Sequence, residues 1–438
     1  MFKGKSKTKS IHLIICKTTF TMHRILFLLL CLVFPKWVNG QVLQPCLYDH
    51  VLHLKEEKNP GFKEALYRQL EFLGKHNLSV REDKIDVNVV IHIVYKNAEE
   101  NLSDAKIQEQ MKILNDNYSR LNADTVNLRN EFKPVAGKAN IFFNLVEIRR
   151  VQTDAIFQPS LSSLPDHVKQ SSKGGSDAVD PDHFLNIWIC NIKPLVFFGQ
   201  ESPILGYAYP PDDLDNWPAG SAAESKNLDG VVLHYKAIGI GSFDVKGIGS
   251  IPMRGRTCVH EVGHYLGLRH ISGDAGIFGP DCTGSDGVDD TPAQGMQSQF
   301  NCNENQNTCE QNVSGDLPDM IENYMDYSLE TCQNTFTKGQ VEIMRGVLMT
   351  HRPGITQMPA STPELVSGGD FKLYPNPANR EIEFADRVQH VQISDVSGKI
   401  CLQFAGEAFN HCDVSTLANG LYFVKINHGA VHKLVILH

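Results

Sequence analysis

The 438-residue chain lacks any apolar run long enough to cross a bilayer. The apolar stretch from Ile25 to Phe34 falls well short of the roughly 20 residues that a membrane helix needs. Basic residues are in the minority, with 41 Lys and Arg against 50 Asp and Glu, and they form no basic stripe. These absences argue against a membrane-spanning protein and against a nucleic-acid partner.

Two further absences restrict the metal chemistry. The four cysteines between residues 282 and 332 contain no C-x2-C spacing, which argues against a structural zinc bound by thiolates alone. The acidic stretch from Asp286 to Pro292 lacks the ligand spacing and the terminal Glu of an EF-hand. A metal site in this chain would therefore be neither an all-thiolate zinc site nor an EF-hand.

The stretch from His260 to His270 has the spacing of a histidine metal site. His260 and His264 are four residues apart, so on a helix both imidazoles face the same side. Gly267 tolerates the left-handed backbone that ends a helix, which lets His270 return as a third nitrogen ligand. Three protein ligands leave one tetrahedral position of zinc open for water, as in catalytic sites, and Glu261 faces the same cleft. The alternative is an amphipathic surface helix with two histidines, but the added Gly267 and His270 make a chance match far rarer.

This pattern, H-E-x-x-H-x-x-G-x-x-H, resembles that of the metzincin peptidases, and the segment Asn323–Ser328 resembles the methionine turn of their pappalysin family. The resemblance implies an α/β (α+β) catalytic domain with a twisted mixed sheet and an active-site helix. It also implies that Met325 lies beneath the zinc as an apolar floor and that Tyr327 reaches the oxyanion of the substrate.

We therefore expect a secreted zinc endopeptidase that hydrolyses peptide bonds of extracellular proteins. In the expected mechanism zinc on the three histidines activates water, Glu261 is the general base, and Tyr327 helps to hold the oxyanion. The competing class is an inactive surface adhesin that retains the fold. The intact Glu261 beside three intact ligands argues against it, because a non-catalytic protein has no need of the base.

Along the chain we predict a signal or targeting segment at 1–40, a pro-peptide at 41–84, the catalytic domain at 85–353, a linker at 354–370 and a sorting domain at 371–438. Met22 followed by the apolar run has the form of a signal peptide. Cys31 resembles a lipoprotein acceptor, but the bulky Leu30 before it disfavours that processing.

Secondary structure is predicted from periodicity. Residues 87–95, 139–148 and 184–192 read as strands, and Ser103 caps a helix that runs through Tyr118. Residues 228–235 also read as a strand. The resemblance to the metzincins, in which the strand at this place is the antiparallel sheet edge, implies that it binds the substrate backbone by strand addition. The alternative is an ordinary core strand.

The polar segment between His270 and the methionine turn contains Cys282, Cys302 and Cys309, and Cys332 follows the turn. An exported protein meets an oxidising compartment, so disulfides are expected, and four cysteines allow three pairings. The resemblance implies the crossed pairing, Cys282 with Cys309 and Cys302 with Cys332.

Calcium is a second candidate cofactor. Asp286, Asp289 and Thr291 offer oxygen ligands beside a glycine, although solvated acidic turns are commoner than calcium sites. The pappalysin resemblance, whose members bind structural calcium around this stretch, favours the calcium interpretation.

Two departures from the family pattern concern regulation and specificity. The place of Cys46 resembles that of the latency cysteine in family pro-peptides, whose thiolate would take the open zinc position, but Leu47 follows it where Gly is usual. The alternative is an unpaired or disulfide-bonded cysteine in a disposable segment. In basic-specific relatives an aspartate precedes the last of the four cysteines and lines the pocket for the residue after the scissile bond. Here that position is Thr331, preceded by Glu330, so we predict a broader or weaker preference for basic residues.

The carboxy-terminal stretch alternates short strands with turns, which predicts a small all-β sandwich. Its segments Leu373–Pro377 and Gly420–Tyr422 resemble the sorting domain of type IX secretion. The resemblance implies transport by that machinery across the outer membrane of a Gram-negative bacterium. An adhesion or carbohydrate-binding module is the alternative.

Overall fold

The computed structural model describes residues 45–66, 68, 83–197, 200–211, 224–247, 249–273, 282, 284–309, 316–356, 373–395, 399–426 and 431–438. The predicted signal segment, residues 1–40, and residues 357–370 of the predicted linker lie outside the described residues. The described residues form two compact units, which divide within the linker.

The first unit contains eleven strands and four α-helices among its described residues. The strands are β1 (Ile85–Tyr95), β2 (Ala136–Gly137), β3 (Ile141–Gln152), β4 (Leu185–Cys190), β5 (Leu195–Phe197), β6 (Gln200–Ser202), β7 (Gly206–Ala208), β8 (Val231–His234), β9 (Ile240–Val245), β10 (Gly249–Arg254) and β11 (Phe336–Thr337). The helices are α1 (Tyr48–Lys58), α2 (Asp104–Tyr118), α3 (Arg256–Tyr265) and α4 (Lys338–Thr350). Short 3-10 turns occur at Ala123–Asn127, Asn130–Val135, Asp166–Lys169, Ser171–Lys173, Lys226–Leu228, Tyr235–Ala237 and Pro353–Thr356.

Five of these strands form the central sheet, in the order β3-β1-β4-β8-β7. The first four are mutually parallel, and β7 pairs antiparallel with β8. Every residue of β4 and β8 is buried, as expected for inner strands of a parallel sheet that is covered on both faces. The predicted mixed α/β sheet is confirmed.

The prediction of which strand forms the sheet edge is wrong, because the edge is the strand next to the predicted one. The strand over residues 228–235 is β8, which lies inside the sheet and runs parallel to its neighbour β4. The antiparallel edge is the three-residue strand Gly206–Ala208. Chain order could not reveal this, because an edge is defined by which strands pair and not by which strand comes last before the helix.

The helix predicted from periodicity after Ser103 is confirmed as α2. In α2 the Ser103 hydroxyl accepts a hydrogen bond from the amide of Lys106, and the residues Ile107, Leu114 and Tyr118 are buried. The Tyr118 hydroxyl donates to the carbonyl of Val259, which ties α2 to α3. All ten residues of α3 are buried.

The second unit is all-β, as predicted, and its core is separate from that of the first unit. Its five strands belong to one barrel-like antiparallel sheet: β12 (Leu373–Tyr374), β13 (Glu381–Asp395), β14 (Ile400–Asp413), β15 (Gly420–Ile426) and β16 (Val431–Ile436). Alternate residues such as Val391, Ile393 and Val424 are buried, which follows from the two-residue period of a strand. Within the described parts of both units, no helix is long and apolar enough to cross a membrane.

Candidate metal centre and active site

Helix α3 carries two of the three predicted metal ligands. His260 and His264 lie one turn apart on it, and both are buried. The backbone then leaves the helix at Gly267, whose φ of 92° is in the left-handed region that favours glycine. This turn brings His270 back to the same point, as the motif predicts.

The three imidazoles converge through their Nε2 atoms. The separations are 3.0 Å between His260 and His264 and 3.2 Å from each of these to His270. Two nitrogens bound to one tetrahedral zinc at 2.0–2.1 Å would be about 3.3 Å apart, so the spacing fits that ion.

The partners of the Nδ1 atoms show why this cluster requires a cation. Nδ1 of His260 contacts the carbonyl of Tyr324 at 2.6 Å, and Nδ1 of His264 contacts the carbonyl of Leu268 at 2.8 Å. Carbonyl oxygens only accept, so each ring carries its proton on Nδ1 and directs the Nε2 lone pair at its neighbours. Burial keeps these rings neutral, lowering the pKa of His260 to about 3 and that of His264 well below its usual value. Lone pairs that face each other repel unless a positive ion lies between them.

Glu261 lies beside this point and is fully buried. Its Oε2 accepts a hydrogen bond from the Cys46 thiol at 3.3 Å, whereas no described residue bonds its Oε1. Burial raises the pKa of Glu261 to about 8. The unbonded Oε1 atom is therefore positioned to exchange a proton with a molecule bound beside the three imidazoles.

The methionine turn closes the site from below. Met325 lies directly against Gly263 of α3, where an added Cβ would come within 2.7 Å of the Met325 sulfur. Asn323 exchanges two side-chain hydrogen bonds with Gln340 at the start of α4. The turn thus positions both the apolar floor and the Tyr324 carbonyl that orients His260.

Tyr327 reaches the same cleft. Its ring packs edge-on against His270 with 4.8 Å between centroids, and its hydroxyl donates to the carbonyl of Cys46 at 3.2 Å. A hydroxyl that binds a peptide carbonyl here is placed to bind one from a substrate.

The predicted latency residue Cys46 meets the metal cluster. Its sulfur and the ligand nitrogens of the three histidines all lie within 4.8 Å of one another. The departure at Leu47 does not obstruct this approach, because that side chain points the other way into a core with Trp188 and Tyr207. The glycine that permits a close approach lies on β7 instead of directly after Cys46. A Cβ on this residue, Gly206, would come within 2.8 Å of Glu261.

The segment around Cys46 also pairs with the edge of the central sheet, strand β7. The Leu47 amide donates to the Gly206 carbonyl at 3.1 Å, and the Leu205 amide donates to the Pro45 carbonyl at 2.6 Å. The bridge between Cys46 and Gly206 is parallel. The segment therefore occupies the edge that strand addition would offer to a substrate backbone.

Two contacts were missed by sequence reasoning. The Tyr48 ring stacks on His264 with 3.8 Å between centroids, and Nδ1 of His270 lies 3.0 Å from the Asp49 carboxylate. The only available signal was their position directly after Cys46. The contacts themselves span more than 200 residues of chain.

A small cavity of about 40 Å³ adjoins the cluster. Both apolar and polar residues line it: Pro45, Cys46, Leu205, Ile251, Pro252, Met253, Phe300, Leu329, Arg256, Thr257, His260, Glu261, Asp326, Tyr327, Ser328, Glu330 and Gln333. Of the two predicted pocket residues, Glu330 lines this cavity, whereas Thr331 is exposed and is not part of the lining.

Glu330 has a structural task as well. Its Oε1 accepts hydrogen bonds from the amide and the hydroxyl of Thr257, both at 2.7 Å, in the first turn of α3. Its Oε2 accepts from the amide of Arg254. The carboxylate therefore caps the active-site helix, a role that a side chain at the helix N-terminus usually performs.

The cysteines pair as Cys282–Cys309 and Cys302–Cys332, the crossed arrangement. Of the candidate calcium residues, Asp286 is buried and its carboxylate accepts hydrogen bonds from the Val288 amide and the Thr291 hydroxyl. Asp289 is exposed.

Comparisons with known proteins agree with this site. The sequence profile described as pregnancy-associated plasma protein-A matches residues 252–349, and that of a secretion system C-terminal sorting domain matches residues 372–437. An extracellular metalloprotease of the fungus Arthroderma gypseum is 25% identical over 289 residues, which cover 65% of this chain and 80% of the relative. One from Pyricularia oryzae is 27% identical over 290 residues, covering 65% and 83%.

Two solved structures are also similar. A promirolysin variant of Tannerella forsythia is 34% identical, with a TM-score of 0.57, and the match covers 72% of this chain and 96% of that one. Mature mirolysin of the same organism, solved with a cleaved peptide, is 37% identical with a TM-score of 0.52, and the match covers 63% and 96%. The family and fold expected from the histidine and methionine motifs are confirmed. The chain therefore belongs to the pappalysin family and is a secreted or cell-surface zinc metalloendopeptidase.

Proposed function

We propose that the protein is made as a latent precursor and that, once released, it cleaves extracellular proteins with Glu261 as general base and Tyr327 as oxyanion donor. The observation that carries this proposal is the convergence of three Nε2 atoms beside the unpaired Glu261 Oε1. The residues fit zinc, which His260, His264 and His270 would hold. Bound there, it would supply Lewis-acid polarisation of the scissile carbonyl and acidification of water.

The residues of the chain perform the remaining steps. The backbone of the substrate pairs with β7, the edge of the sheet that the segment around Cys46 covers in the precursor. Glu261 takes a proton from the attacking water and passes it to the leaving amine. The Tyr327 hydroxyl, which now binds the Cys46 carbonyl, donates to the carbonyl oxygen of the substrate.

Latency follows from the contacts of the segment around Cys46. It covers the sheet edge, bonds Glu261 and satisfies Tyr327. Burial and the nearby Glu261 carboxylate raise the pKa of the Cys46 thiol, but a cation reverses that preference because a coordinating thiol loses its proton. We place the pro-peptide at 41–84 and the catalytic domain at 85–353.

Export follows from the second unit. The sorting-domain match supports recognition by the type IX secretion machinery, and this implies a Gram-negative source. The substrates are proteins or peptides, as the metalloprotease relatives indicate.

The general-base role is tested with Glu261→Ala. We expect this variant to keep stoichiometric zinc and a near-native melting temperature while losing about 10² or more in turnover, because only the proton shuttle is removed. The measurements are metal content, thermal unfolding and casein digestion. Proteolysis near the wild-type rate would contradict the mechanism.

The latency role is tested with Cys46→Ala in the unprocessed chain. We expect the variant to cleave a quenched peptide, or to process itself, much faster than the wild type, since the thiol can no longer occupy the open ligand position. Initial rates are compared before any cleavage near residue 84. If both precursors were equally inactive, the pro-segment would block the cleft sterically and without the thiol.

Specificity is tested with a peptide library on the mature enzyme. We expect no strict requirement for Arg or Lys after the scissile bond, because the surface of the cavity is largely apolar, the cavity contains Arg256, and the carboxylates of Glu330 and Asp326 are both engaged in hydrogen bonds within the protein. Strict cleavage before basic residues would reject this expectation. Glu330→Gln would then show, by losing that preference, that the carboxylate pairs with the substrate.

Structural calcium is tested through Asp286. Burial raises the pKa of this carboxyl to about 7, and a bound cation would compensate its charge. We expect calcium to raise the melting temperature of the zinc-loaded protein, and Asp286→Asn to abolish the shift. Asp244→Asn, an exposed change on β9, is the matched control. An unchanged melting temperature with and without calcium would refute the site.

A further inference from the structure

The three metal-binding imidazoles differ in the origin of their Nδ1 partners. His260 and His264 are held by the carbonyls of Tyr324 and Leu268, both of which belong to the catalytic domain. His270 is held by the Asp49 carboxylate, 221 residues away in the pro-segment. Removal of the pro-segment therefore leaves two of these partners in place and takes away the third.

We propose that Asp49 is a positioning residue for the metal ligand His270, so that the precursor holds zinc more tightly than its cysteine alone would allow. The inference rests on the proposed metal site. A carboxylate that accepts the Nδ1 proton fixes the ring orientation and makes the opposite nitrogen a better electron donor. A carbonyl does this less strongly than a charged carboxylate.

The surroundings of Asp49 support this assignment. Among the described residues, the hydrogen bond to the Asp49 carboxylate comes from His270, and the cationic side chains of Lys63 and Arg269 lie near enough to act on that carboxylate electrostatically. The His270 side chain is fully buried, whereas the Asp49 side chain is 29% exposed and reaches inward to it. Next to it, Tyr48 lies flat on His264 with an interplanar angle of 5°.

Three side chains within four residues of the pro-segment thus serve the same centre without competing. Cys46 offers a sulfur ligand, Tyr48 covers one imidazole, and Asp49 orients another. The intervening Leu47 anchors the backbone to β7. This arrangement loads and retains the metal before activation, and activation then loosens it.

The experiment measures zinc affinity in the unprocessed chain by competition with a chromogenic chelator. All variants carry Glu261→Ala, so that none can process itself. Asp49→Asn and Asp49→Ala are each made with Cys46 present and with Cys46→Ala. Glu57→Gln is the matched control, because it removes a carboxylate from an exposed position on the same helix.

We expect Asp49→Ala to weaken zinc binding by roughly tenfold or more in both cysteine backgrounds, since the loss of such outer partners typically costs 10- to 100-fold. Asp49→Asn keeps an acceptor oxygen and should lie between the alanine variant and the parent. Glu57→Gln should leave the affinity unchanged.

Two results would overturn the inference. One is an unchanged zinc affinity in Asp49→Ala. The other is a loss seen only when Cys46 is present, which would mean that Asp49 merely docks the segment that delivers the thiol. Failure of the parent chain to bind zinc at all would instead refute the metal site itself, so the two failures are distinguishable.

Discussion

The structure depends on one electrostatic constraint, the meeting of three imidazole lone pairs at a single buried point. Neutral histidines 3.0–3.2 Å apart through Nε2 are stable only with a cation between them. The contacts around the cluster maintain that arrangement. The methionine turn supplies the carbonyl that directs His260, and Gly267 permits the reversal that returns His270. Gly263 lets the Met325 sulfur approach α3 closely.

The same constraint bears on the proposed pro-segment, which contacts the site closely through Cys46. A fourth ligand must enter beside Glu261, and hydrogen bonds to β7 hold the backbone of the segment around Cys46 in place there. Gly206 is the point of closest approach, because any side chain there would meet Glu261. The parallel direction of the bridge at Cys46 gives the segment a fixed register on this edge. In the proposed mechanism, inhibition and substrate binding therefore compete for the same sheet edge.

Glu330 shows how a substrate pocket and the catalytic helix share structural elements. The residue lines the cavity beside the metal cluster, yet its carboxylate satisfies amides at the start of α3. Turning this side chain toward a substrate would cost free energy, because the amides that it now accepts from would be left without a hydrogen-bond partner. Specificity in this chain is thus linked to the stability of the helix that carries two metal ligands.

Much of the site was determined by the sequence itself, because its residues are close along the chain. The four-residue spacing of His260 and His264 is a property of any α-helix, and Gly267 marks the turn by its backbone freedom alone. The strong strand at 85–95 and the capped helix after Ser103 likewise follow from local periodicity and capping.

Only tertiary structure decided what depends on distant pairing. Strand order placed β7 at the edge and β8 inside, although both have strand-forming sequences. The same holds for Asp49 at His270, for Gly206 beside Glu261, and for Glu330 rather than Thr331 in the cavity. Such contacts arise from the way the chain folds back on itself, and no local propensity encodes which distant residue a side chain will meet.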